Sequence, residues 1–278
     1  MKTFDSYKAL NNELENRKGS LGLVPTMGSL HQGHISLIEK AVKKSHNVIV
    51  SIFVNPTQFE NKTALKNYPE NLENDMSKLQ NLNNILVYSP DVEELYPQKV
   101  VANKYNFGKI DKIMEGKYRA NHFNGVATIV EKLFTIFKPN FAFFGEKDFQ
   151  QLAIIKSLVK TRGIQTQIIS SPTVREDDGL AMSSRNNFLN KNERKKATFL
   201  YRSLLEAKEL MNSANSREVE KTITAKFENI EDIHLQYFKI LTDDSFSKTK
   251  KLNGKEKYRA FIACNIGGVR LIDNITLE

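Results

Sequence analysis

Residues 24–34 read VPTMGSLHQGH, a stretch with one proline, two glycines and two histidines. Upstream, residues 21–24 form a short apolar run that predicts a buried strand. Downstream, apolar residues recur at helical spacing from Ile35 to Val42, which predicts a helix from about His34 to Ser45. The quoted stretch is therefore a strand-to-helix turn, and in parallel sheets such turns are where phosphate groups bind.

Strands and helices alternate through the first two thirds of the chain. Apolar runs predict strands at residues 20–25, 47–54, 85–88, 141–145 and 165–169. Helical spacing of apolar residues predicts helices at 34–45, 71–82, 123–137 and 148–161. Alternation of this length favours an α/β fold with a Rossmann-like, doubly wound parallel sheet.

The pattern changes after Val174. A polar loop leads to predicted helices at 191–211 and 216–229 and to predicted strands at 233–241 and 258–264. This pattern is typical of a smaller α+β domain. The sequence thus predicts a first domain over residues 1–173, which carries the site, and a second over 174–278, which serves as a lid.

Composition narrows the class of protein. The chain has 278 residues and a net charge of +9, and Cys264 is its one cysteine, so an intrachain disulfide is excluded. We expect a cytoplasmic protein that does not span a membrane, because the N-terminus lacks the pattern of a signal peptide and the apolar runs are short. Nucleic-acid binding is the alternative raised by the charge, but the excess is spread along the chain without a basic arm, so no nucleic-acid partner is expected.

His31 and His34 are the first candidates for chemistry. They stand one helical turn apart, beside the positive end of the helix dipole, and Gly28 and Gly33 allow close backbone approach. Two ring N–H donors there could hold a triphosphate. The alternative is that the rings only cap or pack, while a zinc site is disfavoured because the metalloprotease motif needs a four-residue spacing and a glutamate.

Three further polar stretches follow predicted strands. Asn55 and Gln58 end the strand at 47–54, where a plain Asn-Pro turn is the alternative. The stretch FGEKDFQQ at 144–151 contains Lys147, which can reach phosphate. The alternative is that this stretch is only a capped helix start. The loop GLAMSSRN at 179–186 combines hydroxyls with an arginine as an anion clamp, or is an interdomain linker. Of the smaller candidates, His122 reads as structural and Cys264 as core.

Taken together, five segments resemble the pantothenate synthetase (pantoate–β-alanine ligase) family of the HxGH nucleotidyltransferases. These segments are PTMGSLHQGH, FVNPTQF, HFNGVATIV, FGEKDFQQ and PTVREDDGLAMSSRN. The resemblance implies that ATP and pantoate form pantoyl adenylate and pyrophosphate, and that β-alanine then displaces AMP to give pantothenate. A nucleotidyltransferase that stops after the first transfer is the nearest alternative.

The resemblance also implies roles at matching positions. The catalytic residues would be His31, His34, Lys147 and Arg185. ATP would contact Met27, Gly28, Ser29, Leu30, His31, Gln32, Gly33, His34, Gly145, Glu146, Lys147, Asp148, Val174, Met182, Ser183, Ser184 and Arg185. Pantoate would contact Gln58 and Gln151, and β-alanine would contact Gln58, Tyr68 and Arg119.

The resemblance implies Mg²⁺ as well, held mainly by the ATP phosphates, with Asp75 as a candidate ligand. The chain departs from the family pattern nearby, since Glu70 stands where arginine is typical and the acidic run is reduced to Asn74 and Asp75. The family further implies a homodimer.

Overall fold

Strands and helices alternate from Lys2 to Ser171 in the computed structural model, which describes residues 2–228, 230–249, 252 and 254–277. The strands of this part are β1 (Lys2–Phe4), β2 (Leu21–Thr26), β3 (Asn47–Ile52), β4 (Ile85–Tyr88), β5 (Phe141–Gly145) and β6 (Gln167–Ser171). Its α-helices are α1 (Tyr7–Glu15), α2 (Gln32–Lys44), α3 (Lys62–Lys66), α4 (Leu72–Leu79), α5 (Val92–Leu95), α6 (Met114–Tyr118), α7 (His122–Phe137) and α8 (Phe149–Arg162).

The six strands form one parallel sheet in the order β1-β4-β3-β2-β5-β6. From β2 the chain continues to β3 on one side, while β5 and β6 lie on the other side. The boundary between β2 and β5 is therefore a topological switch point, and ligands of open parallel sheets bind at the carboxyl ends of the strands there. The predicted Rossmann-like, doubly wound fold is confirmed.

The strands β3 and β4 are buried on both faces, as their sequence requires. Every residue of β3 is buried, which explains why this strand reads as a continuous apolar run rather than as an alternating one. Ile38 and Ala41 of α2 join the same apolar cluster as Val24 and Val50 of the central strands. Burying a side chain such as Ile38 contributes about 1.5–3 kcal/mol, so α2 is held firmly against the strand that precedes the HxGH turn.

The rest of the chain contains α9 (Lys191–Leu210), α10 (Ser216–Phe227), β7 (Ile233–Thr242), β8 (Tyr258–Ile266) and β9 (Val269–Thr276). The three strands form an antiparallel sheet in the order β7-β8-β9. Cys264 is fully buried in the core of this part, which confirms it as a core residue, and this burial raises the pKa of its thiol to about 12.

Two compact units make up the chain: Met1–Glu146 with Gln150–Pro172, and Lys147–Phe149 with Thr173–Glu278. The short segment Lys147–Phe149, which the predicted boundary assigns to the first domain, thus groups with the second unit. A lid role for the second unit stays a prediction. Among the residues that the structure describes, no helix is long and apolar enough to traverse a bilayer.

Six of the described strands and α-helices lie outside the sequence-based predictions, namely β1, α1, α3, α5, α6 and β9. The helices α3, α5 and α6 have only four or five residues each, which is too short for a helical repeat of apolar residues to show. β1 has three residues and α1 buries only Leu10, so neither has enough apolar positions to produce a periodic pattern. β9 is obscured because Asp273 and Asn274 occupy buried positions in it. The predicted end of α10 at residue 229 lies outside the described residues.

Candidate active site

The turn between β2 and α2 is built on two consecutive residues with left-handed backbone conformation. Gly28 has a φ of 79° and Ser29 a φ of 50°. A Cβ on Gly28 would lie 3.0 Å from Oδ2 of Asp75 and 3.2 Å from Cγ2 of Ile52, so only glycine fits without a shift. The left-handed conformation costs Ser29 about 1–2 kcal/mol, which other contacts of the turn must offset.

Asp75 supplies those contacts from the adjacent helix α4. Its carboxylate accepts the backbone N–H of Ser29 at 2.8 Å and that of Leu30 at 2.6 Å. Lys78, one helical turn further on, donates from Nζ to the carbonyl oxygen of Leu30 at 2.6 Å. Asp75 is 1 % exposed, so these are buried, charge-assisted bonds. Helix α4 therefore fixes the conformation of the turn immediately before His31.

Alanine at position 75 should leave two buried N–H groups without an acceptor. We expect Asp75→Ala to lower the free energy of unfolding by about 2–3 kcal/mol, since each unsatisfied buried group costs about 1–3 kcal/mol. Urea denaturation followed by circular dichroism measures the difference. The matched control is Asp91→Ala, at an exposed helix start where no side-chain cap bond forms.

The same measurement in the presence of EDTA separates this role from metal binding. A loss that persists without divalent metal indicates that Asp75 acts on the backbone of the turn. Stability equal to that of the Asp91→Ala control would contradict the role. The predicted metal contact of Asp75 stays a prediction, and within the described ranges no group of three or more His, Cys, Asp or Glu side chains could hold a metal ion.

His31 and His34 close the N-terminus of α2 together. His31 is the N-cap residue, and its Nδ1 accepts the backbone N–H of Gly33 at 3.2 Å. In return, Nδ1 of His34 accepts the backbone N–H of His31 at 3.2 Å, so the pair forms a capping box with imidazoles in place of the usual hydroxyl and carboxylate. The ring centroids lie 4.1 Å apart.

This capping arrangement determines where the ring protons are. A backbone N–H can only donate, so Nδ1 of each neutral ring is the acceptor and the proton lies on Nε2. The structure thus presents His31 and His34 as two Nε2–H donors at the positive end of the α2 dipole. Such an arrangement binds anions and stabilises negative charge that develops near it. The structure thus shows the capping role for both residues, and capping leaves their donor role toward a triphosphate possible as a prediction.

Asn55 and Gln58 lie beyond the carboxyl end of β3, in the turn that contains the 3-10 helix Pro56–Gln58. Asn55 is 1 % exposed and donates from Nδ2 to Oε1 of Gln58 at 3.1 Å and to the carbonyl oxygen of Gly125 at 3.1 Å. The Gln58 amide, oriented in this way, donates from Nε2 to Sδ of Met27. The structure therefore brings together Gln58 and Met27, which the resemblance assigns to pantoate and ATP respectively.

His122 links Arg119 to the same turn. Nη1 of Arg119 lies 2.9 Å from Nε2 of His122, and Nδ1 of His122 lies 2.9 Å from the carbonyl oxygen of Gln58. Because arginine only donates and a carbonyl only accepts, the neutral ring carries its proton on Nδ1. Arg119 also lies 3.7 Å from the carboxylate of Glu115. The structural role predicted for His122 is therefore a specific one, because its ring connects the Arg119 guanidinium to the backbone of Gln58.

Tyr68 and Gln151 are the two remaining predicted substrate contacts. Tyr68 packs edge-to-face on Phe59, with ring centroids 5.7 Å apart. Gln151 lies in the first turn of α8, where its neighbour Gln150 is buried and donates to the carbonyl oxygens of Ile110 and Ile113. Their predicted roles toward β-alanine and pantoate stay predictions.

The GEKD stretch begins at the carboxyl end of β5. The Glu146 carboxylate accepts a hydrogen bond from Oγ of Ser170 at 2.8 Å, which ties the end of β5 to β6. Nζ of Lys147 lies 3.7 Å from the Asp148 carboxylate, and the Lys147 side chain is 21 % exposed. The ammonium group is therefore accessible to an anionic ligand.

In the second unit, the loop before α9 is a folded hairpin. The N–H of Met182 donates to the carbonyl oxygen of Val174 at 3.0 Å, so two predicted ATP contacts are directly paired. Oγ of Ser183 accepts the N–H of Arg185 at 3.3 Å and caps the short 3-10 helix Ser184–Phe188. The bend requires Gly179, whose φ is 89° and whose missing Cβ would lie 2.3 Å from the Tyr201 ring.

Comparison with known proteins identifies the family of the chain. The model of the Pantoate-beta-alanine ligase family matches residues 1–276. The pantothenate synthetase of Flavobacterium psychrophilum is 46% identical over 266 residues, which covers 95% of this chain and 94% of the relative.

Solved structures give the same result. The pantothenate synthetase of Thermus thermophilus matches with a TM-score of 0.93 at 35% identity, covering 100% of this chain and 99% of that one. The pantoate-beta-alanine ligase of Francisella tularensis, crystallised in complex with Beta-gamma ATP and Beta-alanine, matches with a TM-score of 0.80 at 38% identity, covering 100% and 98%. On these matches, the chain belongs to the pantoate-beta-alanine ligase family.

Proposed function

We propose that this enzyme ligates pantoate to β-alanine at the expense of ATP, through a pantoyl adenylate. The observation that carries the proposal is the pair of Nε2–H donors of His31 and His34 at the N-terminus of α2, beside a turn that Asp75 holds in a fixed conformation. Family membership and the ATP and β-alanine bound to the Francisella tularensis relative support the choice of substrates.

In the first step, a carboxylate oxygen of pantoate attacks the α-phosphorus of ATP. The new O–P bond forms while the bond from the α-phosphorus to the bridging oxygen breaks, and pyrophosphate leaves with the electron pair. Such a reaction needs alignment and charge stabilisation rather than a strong base. We assign the stabilisation of the leaving oxygen to His31 and His34, and that of the phosphate chain to Lys147 and Arg185.

In the second step, the amine of β-alanine attacks the acyl carbon of the adenylate. A C–N bond forms, the C–O bond to AMP breaks, and the nitrogen loses a proton. We assign the orientation of pantoate to Gln58 and Gln151, and that of β-alanine to Gln58, Tyr68 and Arg119. The link from Arg119 through His122 to the Gln58 backbone supports a common site for the two organic substrates.

The remaining contacts to ATP are assigned by motif. They involve the β2–α2 turn, the end of β5 and the hairpin loop, namely Met27, Gly28, Ser29, Leu30, Gln32, Gly33, Gly145, Glu146, Asp148, Val174, Met182, Ser183 and Ser184. We propose that Mg²⁺ enters with the ATP phosphates, whose charge it neutralises. A homodimer and a cytoplasmic location are part of the same proposal.

Product analysis tests the two-step scheme. The purified protein is incubated with ATP, Mg²⁺ and pantoate, with or without β-alanine, and AMP and pantothenate are quantified. We expect continuous turnover to AMP and pantothenate in equal amounts only when both organic substrates are present. Sustained nucleotide transfer that ignores β-alanine would instead indicate a nucleotidyltransferase and overturn the proposal.

A further inference from the structure

The last strand, β9, carries two buried polar residues. Asp273 and Asn274 are each 3 % exposed, in a strand whose buried position Leu271 is apolar. Burying a carboxylate or an amide is costly unless its hydrogen bonds are satisfied. These two side chains therefore need partners, and the partners lie in segments to which we assign phosphate-binding roles.

Asn274 binds the Lys147 segment. Its Nδ2 donates to the carbonyl oxygen of Lys147 at 2.9 Å, and its Oδ1 accepts from Nη1 of Arg259 at 2.7 Å. The Arg259 guanidinium also binds both carboxylate oxygens of Asp243, at 3.1 and 3.2 Å. It lies 3.8 Å from the centroid of the Phe149 ring. Asn274 and Arg259 thus hold both ends of Lys147–Phe149, which explains why this segment groups with the second unit.

Asp273 binds the hairpin loop. Arg175 donates from Nη1 to Oδ2 of Asp273 at 2.6 Å and from Nη2 to Oδ1 at 3.0 Å, a two-point ion pair. The same guanidinium donates to the carbonyl oxygen of Gly179 at 3.1 Å and stacks 3.9 Å from the centroid of the Tyr201 ring. Arg175 follows Val174 directly, so this ion pair anchors the loop that leads to Arg185.

We propose that Asp273 and Asn274 are positioning residues, which hold Lys147 and the loop bearing Arg185 in fixed relation so that both cations act on one phosphate chain. The two side chains are neighbours in the sequence, and Asp273 also accepts the backbone N–H of Asn274 at 2.7 Å. A shift of one segment relative to the other would therefore break a buried, charge-assisted bond. This inference rests on the proposed function, because it requires that Lys147 and Arg185 act on ATP.

The test is a double-mutant cycle with Asn274→Asp and Lys147→Ala. Aspartate keeps an oxygen for Arg259 but replaces the donor to the Lys147 carbonyl with a second oxygen, so the contact becomes repulsive. We expect Asn274→Asp alone to lower the rate of pantoate-dependent exchange between pyrophosphate and ATP by roughly 10–10²-fold, the scale of a small misplacement of a catalytic group. In the Lys147→Ala background, we expect Asn274→Asp to cause less than about a threefold further loss.

Asn265→Asp on β8 is the matched control. Asn265 is half-buried in the same sheet, and its register partner on β9 is Arg270 rather than Asp273 or Asn274. We expect it to keep wild-type exchange. If Asn274→Asp does not fold, Asn274→Ser removes both bonds without adding charge and enters the same cycle. Losses of equal size in both backgrounds would overturn the inference, because a purely structural role is additive.

Two different results separate the proposed function from the positioning role. Wild-type protein without pantoate-dependent exchange contradicts the proposed function. Active wild-type protein together with a fully active, folded Asn274→Asp variant overturns only the positioning role.

Discussion

We expect His34→Ala to lower the rate of adenylate formation by roughly 10²–10³, the scale of losing one donor to a developing negative charge. The substitution removes the Nε2–H of one ring and also the acceptor for the backbone N–H of His31, so the start of α2 loses one of its two capping bonds. The rate is measured as pantoate-dependent exchange of labelled pyrophosphate into ATP. Loss of the helix cap alone costs about 1 kcal/mol of stability, which circular dichroism detects separately.

Two variants isolate the contribution of the His34 ring. His34→Glu introduces a carboxylate that can accept the His31 N–H, as in an ordinary capping box, but that repels phosphate, so we expect this variant to have wild-type stability without activity. His234→Ala changes an exposed histidine on β7 and should leave exchange unchanged. Near-normal exchange by a folded His34→Ala variant would contradict the assigned role.

Lys147→Ala is expected to impair the first half-reaction by about 10² or more and to affect the second less. The ammonium group is a point charge that we assign to the phosphate chain, whose negative charge shifts toward pyrophosphate in the first step. The second step releases AMP and moves no charge onto pyrophosphate. Single-turnover measurements distinguish the two steps, by adding ATP and pantoate in one case and preformed pantoyl adenylate with β-alanine in the other.

The control for Lys147 is Lys160→Ala, which removes an exposed lysine from the last turn of α8. We expect wild-type rates for it, since an exposed surface charge affects ATP only through screened, long-range interaction. Equal losses in both half-reactions of Lys147→Ala would indicate that the lysine supports the site in general. Wild-type pyrophosphate exchange by Lys147→Ala would show that Lys147 has no catalytic role.

The strands and helices of the parallel sheet could be predicted because their signals are local. β3 is a continuous apolar run, and α2 repeats its apolar residues at helical spacing up to Ala41. The position of the candidate site followed from the same pattern, since His31 and Gln58 lie in the segments that follow β2 and β3, two strands that end at one edge of the sheet. The proposed substrates then came from the resemblance of the sequence motifs to a known family.

The supporting interactions could not be predicted from local pattern, because their partners are remote in sequence. Asp75 binds Leu30 across 45 positions, and Asn274 binds Lys147 across 127. Polar residues at buried positions also obscured β9 itself. The sequence did contain one indication of that strand, since Gly267 and Gly268 directly follow β8, and a two-glycine turn with positive φ at both residues is typical of a hairpin.

Isotope exchange with the wild-type enzyme tests the central claim most directly. Labelled pyrophosphate and ATP are incubated with Mg²⁺ and the protein, with pantoate present or absent and without any amine. We expect rapid appearance of label in ATP only when pantoate is present, because the reverse of adenylate formation is the step that incorporates pyrophosphate. Exchange that proceeds equally without pantoate, or no exchange under conditions that support synthesis of pantothenate, would contradict this claim.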